Sequence, residues 1–181
     1  MSLNYPIHDE TTAPEAARPL LAGAKQKLGF IPNLYGVMAN APALLDAYFK
    51  VGEAFQRSSF TPTEQQVVLL AVSAANGCGY CRAAHQAVAA MQGIDAGVAR
   101  AAAEGQPIDD PRLEALRAFA AHVVETRGWP DEAAIEAFLS AGYSPSQVLE
   151  VVLGVGMKTL SNYTNHIAHT PIDAAFQGAG A

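Results

Sequence analysis

Two helix starts of the same design, 83 residues apart, constrain the fold of this chain more than any other feature. Phe60-Thr61-Pro62-Thr63-Glu64 and Tyr143-Ser144-Pro145-Ser146-Gln147 each place an aromatic residue before a hydroxyl N-cap. Proline follows at the first helical position, and Glu or Gln at the third. Each is a capping box, in which the hydroxyl accepts from the third residue's amide and the third side chain returns to the cap's own amide. The same offset carries Val68 onto Val151, Leu70 onto Leu153, Val72 onto Val155 and Tyr80 onto Tyr163. It also carries Cys78 onto Ser161 and Cys81 onto Thr164, so the second copy keeps the helical frame without the thiols. The expectation is one domain over 1–181 built from two similar helical repeats, at about 36–104 and about 112–176, only the first carrying cysteines.

The spacing of apolar residues supports an all-α chain. Apolar positions recur at helical intervals, and strict period-2 alternation is absent. Helices are predicted over Pro14–Leu28, Pro42–Gln56, Thr61 to about Ala75, Cys78–Met91, Ile94–Glu104, Arg112–Thr126, Asp131–Ser140 and Ser144 to about Ile167. Gly29 to Asn33 and Gly105 to Pro111 read as breaks. The tail from Thr170 is expected to pack loosely and Gly178 to Ala181 to fray. Trp129 before Pro130 reads as a packing anchor.

Composition narrows the function classes. Half of the 181 residues are hydrophobic and only 15% charged, which suits a globular domain and points to apolar surface covered by subunit contacts. The net charge is −6 with no Lys/Arg cluster, so nucleic acid and anionic membrane are poor partners. The segment Met1 to Pro6 has no basic or apolar region of a signal peptide, and no apolar run reaches membrane-spanning length. A soluble cytoplasmic protein is the expectation.

The chemistry-bearing residues lie in Asn76-Gly77-Cys78-Gly79-Tyr80-Cys81-Arg82-Ala83-Ala84-His85, which holds the only two cysteines of the chain. On a helix, Cys78, Cys81 and His85 share one face. Asn76-Gly77 is a helix stop, so a new helix begins near Cys78. A helix N-terminus favours thiolate, and thiolate is the form that attacks a peroxide or disulfide. His85, one turn beyond Cys81, could accept its proton directly or through water. In a reducing compartment a Cys-x-x-Cys pair is more often redox-active or metal-binding than a structural staple. Zinc is one competing reading, with His166 or His169 needed as a fourth ligand. A purely structural pair of small apolar residues is another.

The stretch Ser73 to His85 resembles the signature of the AhpD-like alkylhydroperoxidases, within the carboxymuconolactone decarboxylase superfamily. The pattern over about 20–175 is similar to the peroxidase-related branch, including Lys158-Thr159-Leu160-Ser161-Asn162-Tyr163-Thr164-Asn165-His166. The resemblance implies an AhpD-like all-α fold, a homo-oligomer (trimer or hexamer) and peroxide reduction through the cysteine pair. It implies that Cys81 attacks the peroxide, Cys78 resolves it, and His85 is the relay histidine. No metal or organic cofactor is implied.

The sequence departs from that pattern in two places. The relay glutamate twelve residues before the first cysteine is Gln66, which cannot take a proton. Glu64 lies two residues away, roughly 200° round the helix, and is a candidate for the cap with Thr61 as well as for catalysis. The histidine some members carry before the second cysteine is Tyr80, which is no base near pH 7. Glu150, alone in the apolar run Val148 to Leu153, is a candidate replacement, or else a seam residue paired with Lys158 or an arginine. His166 and Asn162 are further candidates for the pocket. His8 and His122 carry no motif, and His169 reads as a surface or end-cap residue.

With the resemblance, the expectation is a thiol-dependent peroxidase acting on a hydroperoxide and recycled by a dithiol or protein reductant. Two alternatives stay open. One is a disulfide-switch redox sensor or thiol-disulfide oxidoreductase with little turnover. The other is carboxymuconolactone decarboxylase-type chemistry, against which the cysteine pair argues.

Overall fold

The computed structural model describes residues 4–178. The expectations for residues 1–3 and 179–181 lie outside the described residues. The described residues form nine α-helices and no strand. They are α1 Arg18–Leu28, α2 Asn33–Met38, α3 Pro42–Gln56, α4 Pro62–Ala75, α5 Gly79–Met91, α6 Ala96–Glu104, α7 Pro111–Glu125, α8 Glu132–Ser140 and α9 Pro145–Ala168. Short 3-10 turns at Glu15–Ala17 and Ala174–Phe176 bracket them. The expected helix from Pro14 is therefore a 3-10 turn followed by α1, and α2 was not foreseen. The proline at position 32 ends the Gly29–Asn33 break by serving as the N-cap of α2.

Both capping boxes form. The Thr61 hydroxyl accepts from the Glu64 amide, and the Glu64 carboxylate accepts from the Thr61 amide at 2.8 Å. Ser144 and Gln147 make the same pair at the start of α9, with the Ser144 amide donating to Gln147 Oε1 at 2.8 Å.

The helix α4 is the centre of the domain. Every residue from Gln66 to Ser73 is buried, and α5, α6, α7 and α9 pack around it. A helix this apolar on all sides is stable only when surrounded. Each buried Val or Leu of its run contributes about 2 kcal/mol relative to exposure. Gly154 lets α9 approach closely, because a Cβ there would stand 2.6 Å from Val68 Cγ1 and 3.0 Å from Phe55 Cε2.

A second core cluster gathers α1, α2, α3, α5 and the C-terminal segment around Cys78 and Cys81. The tail belongs to it, contrary to the loose packing expected. Thr170, Asp173 and Phe176 are buried. The Asp173 carboxylate accepts from the Asn33 amide at 3.0 Å and from the Tyr80 hydroxyl at 2.5 Å. The Phe176 ring meets Phe30 and Tyr80 edge-on. Trp129 is no packing anchor: it is 85% exposed. No helix among the described residues is long and apolar enough to cross a membrane.

Candidate active site

A Schellman closure of α4 sets the position of the first thiol. Gly77 adopts φ +68°, a left-handed value that glycine accepts without strain. The Gly77 amide then donates to the Ala74 carbonyl and the Cys78 amide to the Ser73 carbonyl, both at 2.9 Å. Cys78 is thereby the N-cap of α5, and Cys81 falls in its first turn. Both cysteines are free and buried, at 1% and 2% exposure.

The two thiols are not equivalent. Cys81 is held well below the ordinary thiol value, first by the hydrogen bond from Cys78. Burial opposes this, and the charge of Lys158, with Ser161 also close by, outweighs it. Cys78 is pushed up by its role as donor to Cys81 and by burial. Asn165 Nδ2 donates to Cys81 Sγ at 3.3 Å and lies 3.8 Å from Cys78 Sγ. The surroundings favour thiolate at Cys81 and thiol at Cys78.

Behind the sulfurs stands a row of three side chains. Lys158 Nζ lies 3.0 Å from His85 Nε2, and His85 Nδ1 lies 3.0 Å from Gln66 Oε1. An ammonium can only donate, so Nε2 must accept, and Nδ1 carries the proton that Gln66 Oε1 receives. Burial, then the Lys158 charge, holds His85 well below its usual range, so the ring is neutral. His85 makes no hydrogen bond to either sulfur among the described residues.

The structure separates the remaining predicted residues. Gln66 sits in the row, buried, as a hydrogen-bond acceptor for His85. Glu64 points away from the thiols and is bound by the Thr61 cap and by Arg112, whose Nη2 lies 3.1 Å from Oε1. Although burial opposes it, those partners hold its carboxyl below the usual range. Tyr80 faces Asp173 and the Leu34 amide. Burial and the Asp173 contact push its phenol up, so it is no base. Glu150 pairs with neither Lys158 nor an arginine: its carboxylate accepts from the Ser59 amide at 2.9 Å and the Ser59 hydroxyl at 2.7 Å. His166 is exposed and stacks near Tyr163. Asn162 is buried and accepts from Asn76 Nδ2 at 2.9 Å, tying α9 to the stop before Cys78. Among the described residues no three His, Cys, Asp or Glu side chains gather as a metal site.

Asn165 was not singled out from the sequence, and Lys158 was named there only as a partner for Glu150. The buried face of α9 runs Gln147, Val151, Gly154, Lys158, Ser161, Asn162, Asn165, and from Lys158 onward it is polar throughout. Lys158 is 1% exposed. A lone cation at a core position of an otherwise apolar run was the available signal, since buried charges mark functional sites. Asn165 Oδ1 and Asn162 Nδ2 are buried without a hydrogen-bond partner among the described residues.

Residues 42–141 match the carboxymuconolactone decarboxylase family. Comparison with curated proteins finds no match. Among solved structures, the chain is similar to an alkylhydroperoxidase AhpD core, a peroxidase-related protein of Ralstonia eutropha. That match has TM-score 0.85 and 25% identity, covering 98% of this chain and 96% of that one. A peroxidase-related protein of a Silicibacter species superposes with TM-score 0.81 at 21% identity, covering 98% and 94%. A variant of the debrominase Bmp8 in complex with 2,3,4-tribromopyrrole does so with TM-score 0.81 at 23%, covering 99% and 96%. The latter two share the fold.

Proposed function

The chain belongs to the carboxymuconolactone decarboxylase family, and on that footing we propose that it is a thiol-dependent peroxidase of the alkylhydroperoxidase kind. The observation that carries this reading is the pair of free, buried cysteines at the start of α5, with Asn165 Nδ2 donating to Cys81 Sγ and an environment that favours thiolate at Cys81 and thiol at Cys78. Cys81 sulfur attacks the terminal oxygen of the hydroperoxide. The S–O bond forms, the O–O bond breaks, and the alkoxide leaves and is protonated to an alcohol. Cys81 is then a sulfenic acid. Cys78 sulfur displaces its hydroxyl, which departs as water, and a disulfide remains. An external dithiol supplies two electrons and two protons to restore the pair.

The low proton affinity of Cys81 supports its role as nucleophile, and the protonated state of Cys78 supports its role as the resolving thiol. The row Lys158–His85–Gln66 takes the place that the carboxylate relay holds in the resemblance. The chemistry needs a reducing compartment such as the cytoplasm. The exposed face of α9 supports the homo-oligomer: Leu149, Val152, Tyr163 and Ile167 are 52–70% exposed on one 24-residue helix. An apolar groove of about 350 Å³, lined by Met38, Leu44, Leu160, Tyr163 and Ile167 among others, continues that face and includes neither cysteine.

A second reading, a disulfide switch without turnover, is favoured by the burial of both sulfurs, at 1% and 2% exposure. Steady-state consumption of an organic hydroperoxide with a dithiol donor decides between them. An enzyme cycles, whereas a switch forms one disulfide per chain and stops.

A further inference from the structure

We propose that Lys158 is the catalytic cation of this site, its ammonium pairing with the Cys81 thiolate and giving a proton to the oxygen that leaves the hydroperoxide. The proposal rests on the thiol-peroxidase reading and assigns the proton to a residue outside the cysteine motif.

A buried ammonium needs a counter-charge. Lys158 is 1% exposed, and no carboxylate lies within 4.0 Å of it among the described residues. Its hydrogen-bond partner, His85 Nε2, is a neutral acceptor and balances no charge. The titratable groups that bear on Cys81 are Tyr35 of α2, Tyr48 of α3, Cys78 at the N-cap of α5, Tyr80 of α5 and Lys158 of α9, with His85 beside Lys158 and Asp173 behind Tyr80. Burial keeps the Tyr35 and Tyr48 phenols neutral. Cys81 sulfur is therefore the anion that matches the ammonium.

Gln66 makes this arrangement consistent. A carboxylate at that position would accept the His85 Nδ1 proton and favour an imidazolium, which repels Lys158. The neutral amide of Gln66 leaves His85 uncharged and the positive charge on Lys158. The histidine then holds the lysine in place as a positioning residue.

The proton count closes. Before reaction the site holds Cys81 as thiolate, Cys78 as thiol and Lys158 as ammonium. Attack breaks the O–O bond, and the leaving alkoxide takes a proton from Lys158, which becomes an amine. Disulfide formation expels hydroxide from Cys81, and that hydroxide takes the Cys78 proton as water. The dithiol reductant returns two electrons and two protons, one to Cys78 and one to Lys158. Asn165 has a part in the same step. Its Nδ2 already donates to Cys81 Sγ, and its free Oδ1 suits the O–H of an incoming hydroperoxide.

The test is the pH dependence of Cys81 alkylation by iodoacetamide in a Cys78→Ser background, with Lys158 intact, Lys158→Met and Lys158→Arg. It is paired with the rate of reaction with cumene hydroperoxide in the Cys78-containing protein. Lys158→Met should raise the alkylation midpoint by about two pH units or more and slow the peroxide step roughly 100-fold. Lys158→Arg should keep the low midpoint, because the charge remains, yet still slow the peroxide step, because a guanidinium does not release its proton. An unchanged midpoint in Lys158→Met overturns the pairing. A full peroxide rate in Lys158→Arg overturns the proton transfer, and the arginine variant decides that question if the methionine variant does not fold. A low midpoint in the Lys158 protein without peroxide consumption leaves the Lys158–Cys81 pair standing and removes the peroxidase reading.

Discussion

Lys158 Nζ stands 3.0 Å from His85 Nε2, on the side of the imidazole opposite Gln66. That contact fixes the tautomer of His85 and keeps its lone pair from the thiols. It also ties α9 to α5, two helices that start 66 residues apart.

Gln66→Glu should convert this row into a relay of a different kind. A carboxylate within hydrogen-bond distance raises a histidine by about one to three pH units. The His85 ring proton, followed by NMR, should titrate at a higher midpoint in the variant than in the parent chain. An unmoved His85 resonance contradicts the placement of Gln66.

Asn165→Ala removes the donor at 3.3 Å from Cys81 Sγ. Hydrogen bonds to charged groups contribute about 1.5–3 kcal/mol, and this one is long and ends on sulfur. The alkylation midpoint of Cys81 should rise by about one pH unit. A midpoint unaffected by Asn165→Ala removes this residue from the thiolate's support.

Stability should fall on mild acidification. His85 is neutral in the fold and held well below its usual value by burial and by Lys158. Below about pH 6.5 the unfolded chain takes up a proton there that the folded chain does not. Cys81, depressed in the fold, acts with the same sign: its contribution is complete above the unfolded thiol value and is lost as pH falls toward the folded one. Each group adds at most about 1.4 kcal/mol per pH unit within its window. Denaturant titrations between about pH 5 and 7 should show a shallower slope for His85→Gln; an equal slope contradicts a neutral His85.

Gly154→Ala should destabilise the fold by about 1–3 kcal/mol, since the new Cβ meets Val68 Cγ1 at 2.6 Å and the Phe55 ring at 3.0 Å. Gly23→Ala is the control. That glycine lies inside α1, and beyond its own neighbours and helix backbone nothing comes within 4 Å of the added Cβ, so helix propensity should stabilise by about 0.5–1 kcal/mol. Equal effects of the two in thermal unfolding contradict the close α4–α9 approach.

The sequence announced the local elements and missed what only packing decides. Capping boxes, prolines and the Asn76-Gly77 stop are short-range signals, and they placed most of the helices from α3 to α9 to within a residue or two. The six-residue α2 is too short for a periodic signal, and its start at Asn33 is secured by Asp173 from the far end of the chain. The same carboxylate explains why the tail packs and what engages the Tyr80 hydroxyl. Cys78, Cys81 and His85 are legible because they lie in one segment. Lys158 reaches His85 and Asn165 reaches Cys81 Sγ from α9, more than 70 residues away, and their register against α5 is set by the Gly154 contact with α3 and α4. Glu150 looked buried by its apolar neighbours in sequence, yet it borders the Ser59 turn, where an amide and a hydroxyl satisfy it.

The central claim is that Cys81 reduces a hydroperoxide and Cys78 completes the cycle. The most direct measurement is steady-state consumption of cumene hydroperoxide with dithiothreitol as electron donor, for the parent chain, Cys81→Ser and Cys78→Ser. The account predicts many turnovers for the parent chain and none for Cys81→Ser. It also predicts a sulfenic acid on Cys81, an added oxygen by intact mass, in Cys78→Ser. Turnover that survives Cys81→Ser, or a parent chain that forms one disulfide and stops, contradicts it.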